Sequence, residues 1–175
     1  MHSAAMCTMV VKETISYYIN NGSPVTCTFL DASKAFDRVE YCKLFNLLVA
    51  RGMPPVIIRL FLNMYTNQHV RVLWNGEFSN VFGVENGVKQ GGVISPVLFC
   101  VYIDELLLKL RGSGVGCFVG DWFVGAVAYA DDIVLLAPTA TAMRRMLSIC
   151  DSFANEFSVL FNANKSKCVF LSEAI

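Results

Sequence analysis

The sequence predicts an α+β domain: a mostly antiparallel sheet with helices packed on one face. Three observations predict it. Short runs rich in β-branched and aromatic residues, at 25–31, 115–119, 122–129 and 133–137, read as strands. Segments with apolar residues at helical spacing alternate with them. The 175 residues are 55% hydrophobic and 16% charged, enough to bury a sizeable core and too apolar for a disordered chain.

Taken in order, residues 4–19 read as a helix with Val10, Val11, Thr14, Ile15 and Tyr18 at helical spacing, ended by Asn21-Gly22. Pro24 opens the strand at 25–31. Helices follow at 40–50 and 54–66, separated by the breaker Arg51-Gly52-Met53-Pro54. Segments 70–74 and 78–82 predict a hairpin turning at Asn75-Gly76, a strong short-range turn signal. A glycine-containing loop, 86–92, leads to a helix at 96–110, with Ser95 as N-cap and Pro96 in the first turn. Strands at 115–119, 122–129 and 133–137 come next, with Asp131-Asp132 at the last join. Thr139 or Thr141 caps a helix reaching 157, and short strands near 159–161 and 168–171 close the chain. No repeat, low-complexity tract or linker interrupts this single domain.

Bulk properties narrow the function. The longest apolar stretch is 93–103, and the apolar segment 115–137 carries Asp121, Asp131 and Asp132. Both read as buried core, not as membrane spans. Seven scattered cysteines without a C-x-x-C pair argue against a disulfide framework and against a zinc site. With no basic-then-apolar leader at the N-terminus, the expected location is intracellular. Fourteen basic residues balance fourteen acidic ones, so the composition shows no basic excess of the kind nucleic-acid binding normally carries.

Three clusters carry candidate chemistry. Asp131-Asp132 sit between two apolar runs, as at the tip of a tight hairpin. One Asp there is an ordinary turn residue. Two adjacent like charges repel unless a cation offsets them. Asp31 ends the strand at 25–31, where its plain role would be a helix cap. Set beside the Asp pair, it completes a Mg²⁺ site of few carboxylates, with water and phosphates filling the remainder. The third cluster is Gly87-Val88-Lys89-Gln90-Gly91-Gly92-Val93-Ile94-Ser95-Pro96, whose glycines allow close approach of a ligand to the backbone. It lacks the P-loop pattern, and its plain reading is a strand-to-helix loop. His2 and His69 are isolated, so no Ser/His/Asp arrangement is present.

At these clusters the chain resembles the reverse transcriptases. Phe29-Leu30-Asp31-Ala32-Ser33-Lys34-Ala35-Phe36-Asp37-Arg38-Val39 is similar to their motif A. Gln90-Gly91-Gly92 with Ser95-Pro96 resembles motif B, and Tyr129-Ala130-Asp131-Asp132 resembles motif C. The three occur in the family's order and cover most of the chain. The wording is nearest to non-LTR (LINE-type) retrotransposons, and group II intron enzymes share much of it.

The resemblance implies a polymerase palm-type sheet with a partial fingers region, residues 1–175 being a central fragment of the reverse transcriptase domain. It implies RNA-directed DNA synthesis, with Asp31, Asp131 and Asp132 as catalytic carboxylates on two Mg²⁺ ions, or Mn²⁺ in their place. Phe36 corresponds to the gate that excludes a nucleotide 2′-hydroxyl, its plain alternative being a core aromatic. Ala32, Gln90 and Gly91 would line the incoming dNTP, and Tyr129 would sit near the primer end. Lys165, in Asn162-Ala163-Asn164-Lys165-Ser166-Lys167, resembles the motif D lysine, a general acid for the leaving pyrophosphate. Lys167 is the alternative, and a solvated basic loop the plain reading. Asp37 reads as a local hydrogen-bonding residue.

Fingers strands are expected before His2-Ser3-Ala4 and a thumb after Ile175, within a retrotransposon polyprotein that meets an RNA template, a DNA primer and dNTPs. Two other readings stand beside this one. A nucleotidyl cyclase also places carboxylates on such a sheet, but would need no primer or template. A degenerate or domesticated fragment would fold, and bind nucleic acid, without polymerising.

Overall fold

The computed structural model describes residues 4–172. His2 and Ile175, beside which fingers strands and a thumb are expected from the resemblance, lie outside the described residues. In chain order the elements are α1 (Ala4–Asn20), β1 (Val25–Asp31), a 3-10 turn (Phe36–Arg38), α2 (Tyr41–Ala50) and α3 (Pro55–Thr66). Four two-residue strands follow: β2 (His69–Val70), β3 (Leu73–Trp74), β4 (Glu77–Phe78) and β5 (Phe82–Gly83). Then come α4 (Ser95–Gly112), β6 (Phe118–Val119), β7 (Trp122–Phe123), β8 (Ala126–Tyr129), β9 (Asp132–Ala137), α5 (Ala140–Phe157) and β10 (Lys167–Leu171).

The single domain read from the sequence resolves into two compact units. The chain up to Ala35, together with Ile103 onward, makes one; Phe36–Tyr102 makes the other. The first holds a four-stranded sheet in the order β10-β1-β9-β8, with every neighbouring pair antiparallel. Alternation along β1 sends Thr26, Thr28 and Leu30 to one face, opposite Ala137, Leu135 and Ile133 of β9, and all six are buried. Helix α5 lies against β9, burying Met143, Met146, Cys150, Phe153 and Phe157 along one stripe. Thr139 caps it, its hydroxyl oxygen accepting the Ala142 amide at 3.1 Å. On the other face, Val25, Cys27 and Leu136 meet Val11, Ile15 and Tyr18 of α1. Helix α1 therefore covers that face from Val25 toward the end of β8, where the Cys7 thiol reaches Ala128 O at 3.9 Å.

Burial raises the thiols of Cys27 and Cys117 to about 11 and that of Cys150 to about 12, so all three stay protonated at neutral pH. None of the seven cysteines is in a disulfide. Among the described residues, no helix is long and apolar enough to cross a membrane.

In the second unit α2 and α3 pack together, with Tyr41 edge-on to Tyr65 at 5.8 Å. The hairpin expected around Asn75-Gly76 forms, with positive φ at both turn residues. It is interrupted: β3 pairs with β4, and β2 with β5. Between them the Ser79 hydroxyl takes the Val72 amide, a side-chain bond in place of a ladder bond. The strand expected at 122–129 is likewise split. A Cβ on Gly125 would lie 2.8 Å from the Cys117 amide nitrogen, and at that crowded point the chain breaks between β7 and β8. The expected strand near 159–161 reduces to one bridge, Phe161 to Ala32.

Candidate active site

Strand β1 ends at Asp31 and β9 begins at Asp132, and the register sets these two residues directly opposite each other. On the far side of β9, Tyr129 pairs with Asp132. Partners across a strand pair share a face, so Asp31, Asp132 and Tyr129 form a row across three strands. That face is open here, Phe29 and Tyr129 each being 46% exposed. Ala130 and Asp131 form the two-residue turn between β8 and β9. Ala130 has a φ of 53°, where a side chain costs about 1–2 kcal/mol. Such local strain is characteristic of functional turns.

Like charges directly opposite on neighbouring strands destabilise a sheet. The facing pair is therefore a cost to the fold that a cation would offset. Part of the offset comes from Lys165, whose Nζ lies 4.0 Å from Asp31 Oδ2. Both groups reach solvent, so this ion pair is weakly stabilising. Among the described residues, no three His, Cys, Asp or Glu side chains converge as a ready metal cage. Mg²⁺ does not require one: one or two carboxylates suffice when water and substrate phosphates complete the shell. Asp31 and Asp132 provide the facing pair, with Asp131 on the adjoining turn, and this donor set fits.

The end of β1 is anchored by the loop before β10. The Ser33 amide donates to Leu160 O and the Asn162 amide to Asp31 O, each at 2.8 Å. The Asp31 amide donates to Ser166 Oγ at 3.3 Å. Within the loop, Asn162 Oδ1 accepts the amides of Asn164 at 3.1 Å and Lys165 at 3.3 Å. The alternative lysine, Lys167, gives its ammonium to Asn164 O at 3.2 Å. The sequence reading missed Asn162 and Ser166. An Asn two residues before the amide it accepts is the Asx-turn signal that would have found the first. Ala32 is buried, leaving its backbone as the part that could meet a nucleotide.

The remaining expected site residues lie in the second unit. Phe36 stacks on Phe99 with centroids 4.9 Å apart. Gly87 and Val88 dock on the Phe36–Arg38 turn, their amides donating to Val39 O and Phe36 O at 2.8 Å. Gln90 Nε2 donates to Asp37 Oδ1 at 3.0 Å, which gives Asp37 the hydrogen-bonding role read from the sequence. Gly91, at φ 79°, has open space where a Cβ would be. Ser95 is not the expected cap. It is buried inside the first turn of α4, its hydroxyl 3.5 Å from the Tyr65 hydroxyl.

An antiparallel sheet between helices, with carboxylates facing across its central strands, defines a polymerase palm-type protein. Solved telomerase structures share the fold. That from Candida albicans, in complex with a TWJ fragment of telomeric RNA, superposes with a TM-score of 0.74 at 14% identity, over 97% of this chain and 30% of that one. Residues 4–174 match the family model for reverse transcriptase (RNA-dependent DNA polymerase), and the chain belongs to that family.

Its relatives are of the non-LTR, LINE type. The Pol polyprotein of the type-2 retrotransposable element R2DM from Drosophila melanogaster is 35% identical over 136 residues, 78% of this chain and 13% of the relative. An R2 polyprotein from Popillia japonica is 28% identical, over 87% of this chain and 25% of the relative. The transposon TX1 149 kDa protein of Xenopus laevis is 27% identical, over 90% of this chain and 12% of the relative. The chain thus spans an eighth to a quarter of the length of these relatives.

Proposed function

We propose that this chain is the catalytic core of an RNA-directed DNA polymerase within a longer retrotransposon polyprotein, extending a DNA primer with dNTPs on an RNA template inside the cell. The observation that carries the reading is the facing of Asp31 and Asp132 at the open end of the sheet, with Asp131 beside them. Asp31, Asp131 and Asp132 would hold two Mg²⁺ ions, or Mn²⁺. When bound, divalent ions supply charge stabilisation to the attacking 3′-hydroxyl and to the leaving pyrophosphate.

The chain's own groups do the rest. Tyr129, next to Asp132 in the row, supports the primer end. Lys165, placed beside Asp31, is positioned to give a proton to the leaving pyrophosphate. Gln90, Gly91 and the Ala32 backbone line the incoming nucleotide. Held by Asp37, Gln90 starts from a fixed orientation, which lowers the entropy lost on binding. The test is RNA-templated primer extension by the full-length polyprotein. Extension that needs template and primer, and is lost in Asp131→Asn, supports the reading. Full activity in that variant would remove the metal role.

Phe36 is proposed as the gate against ribonucleotides. Its ring is held flat against Phe99, and a fixed ring is what steric exclusion requires. Phe36→Val is expected to raise ribonucleotide incorporation relative to dNTPs by about tenfold or more, the scale of discrimination carried by a few missing carbons in a pocket. Competition assays with matched rNTP and dNTP would read it. Unchanged sugar discrimination would leave Phe36 a packing residue only.

A further inference from the structure

We propose that Asn162 is a positioning residue for the polymerase reaction: it folds the 162–166 turn that sets the Lys165 ammonium beside the Asp31 carboxylate. This rests on the polymerase reading above and names a residue that the reading does not use.

Asn162 is bonded in both directions. Its backbone amide donates to Asp31 O at 2.8 Å, so it is fixed to the residue that carries the catalytic carboxylate. Its side-chain Oδ1 accepts the Asn164 amide at 3.1 Å and shares the Lys165 amide, at 3.3 Å, with its backbone oxygen at 3.2 Å, which also accepts the Ser166 amide at 2.8 Å. Ser166 closes the loop by accepting the Asp31 amide through its hydroxyl. The Lys165 backbone is thus tied, through the side-chain and backbone oxygens of one residue, to the strand end it must serve.

That tie matters because the Lys165 side chain does little to place itself. It is 69% exposed, and the Asp31 carboxylate is its ion-pair partner among the described residues. A lysine stem retains many rotamers, so the volume its ammonium samples is set mainly by where its Cα is held. Removing the Asn162 side-chain oxygen frees the Asn164 amide to water, leaves the Lys165 amide only its 3.2 Å bond to Asn162 O, and lets the turn drift. A drift of about 1 Å in a positioned group can cost about a hundredfold in rate.

The test uses the full-length polyprotein and single-nucleotide incorporation on an RNA template, with four variants: Asn162→Ala, Asn162→Asp, Lys165→Ala and the Asn162→Ala/Lys165→Ala double. Asn162→Ala is expected to slow incorporation by about ten- to a hundredfold. Asn162→Asp keeps the side-chain acceptor and is expected to restore most of the rate. In the Lys165→Ala background, Asn162→Ala should change the rate by less than about twofold, because both changes remove one interaction. Hydrogen exchange at the Asn164 amide should quicken in Asn162→Ala and return to wild type in Asn162→Asp.

Wild-type rate in Asn162→Ala or in Lys165→Ala would overturn the proposal. So would multiplicative losses in the double variant, failure of Asp to rescue, or unchanged exchange. These outcomes differ from failure of the polymerase reading itself, which would show as a wild-type polyprotein unable to extend a primer.

Discussion

Asp132→Asn is expected to abolish primer extension by the full-length polyprotein, by about a thousandfold or more, while leaving the sheet folded. The size follows from losing several kcal/mol of charge stabilisation at the reacting phosphate, at about 1.4 kcal/mol per factor of ten. The sign of the stability change is the opposite of the usual one. Asp132 faces Asp31 directly, and an amide in its place removes a like-charge contact worth up to about 1 kcal/mol. Asp132 is exposed, so solvent screening keeps the gain in the lower part of that range. Thermal melting without added metal should therefore show an unchanged or slightly raised midpoint alongside lost activity. A variant both inactive and strongly destabilised would point to a structural role for Asp132.

Gly87→Ala carries the largest expected effect on folding. A Cβ at Gly87 would lie 3.0 Å from both Cα and O of Asp37 and 3.1 Å from Phe36 O, all backbone atoms that cannot swing aside. Its φ of 90° is also one that side chains rarely adopt. The two hydrogen bonds from the Gly87 and Val88 amides to Val39 O and Phe36 O would lengthen or break. Strain of about 1–3 kcal/mol, with weakened hydrogen bonds added, gives a destabilisation of about 2–4 kcal/mol. Gly91→Ala is the control. It has positive φ but open space, so the expected cost is only about 1 kcal/mol. Denaturant unfolding of the two variants would separate the close approach from the dihedral. Equal losses would show that contact with Asp37 is unimportant.

Much of the frame was legible in the sequence because local chemistry wrote it. Asn75-Gly76 requires a hairpin turn, Thr139 can cap only the helix it precedes, and the alternation along 25–31 builds a strand with one buried face. What was not legible depended on distant partners. Ser95 carries the local signature of a cap, yet buries its hydroxyl against Tyr65, 30 residues away. The run 122–129 looks like one strand until the Cys117 backbone crowds Gly125. Ser166 holds the Asp31 amide across 135 residues, a distance over which no spacing pattern survives.

The carboxylates divide in the same way. That Asp31 closes an apolar strand and Asp131-Asp132 break another apolar run follows from local pattern, because strand and turn propensities act between near neighbours. That Asp132 sits opposite Asp31, with Asp131 in the turn and Lys165 held 4.0 Å from Asp31, comes from the assembled fold. Register and loop docking are set by burying the β1 and β9 side chains together in one core. Hydrophobic burial acts across the whole chain, and it is this that brings Asp31 and Asp132 together.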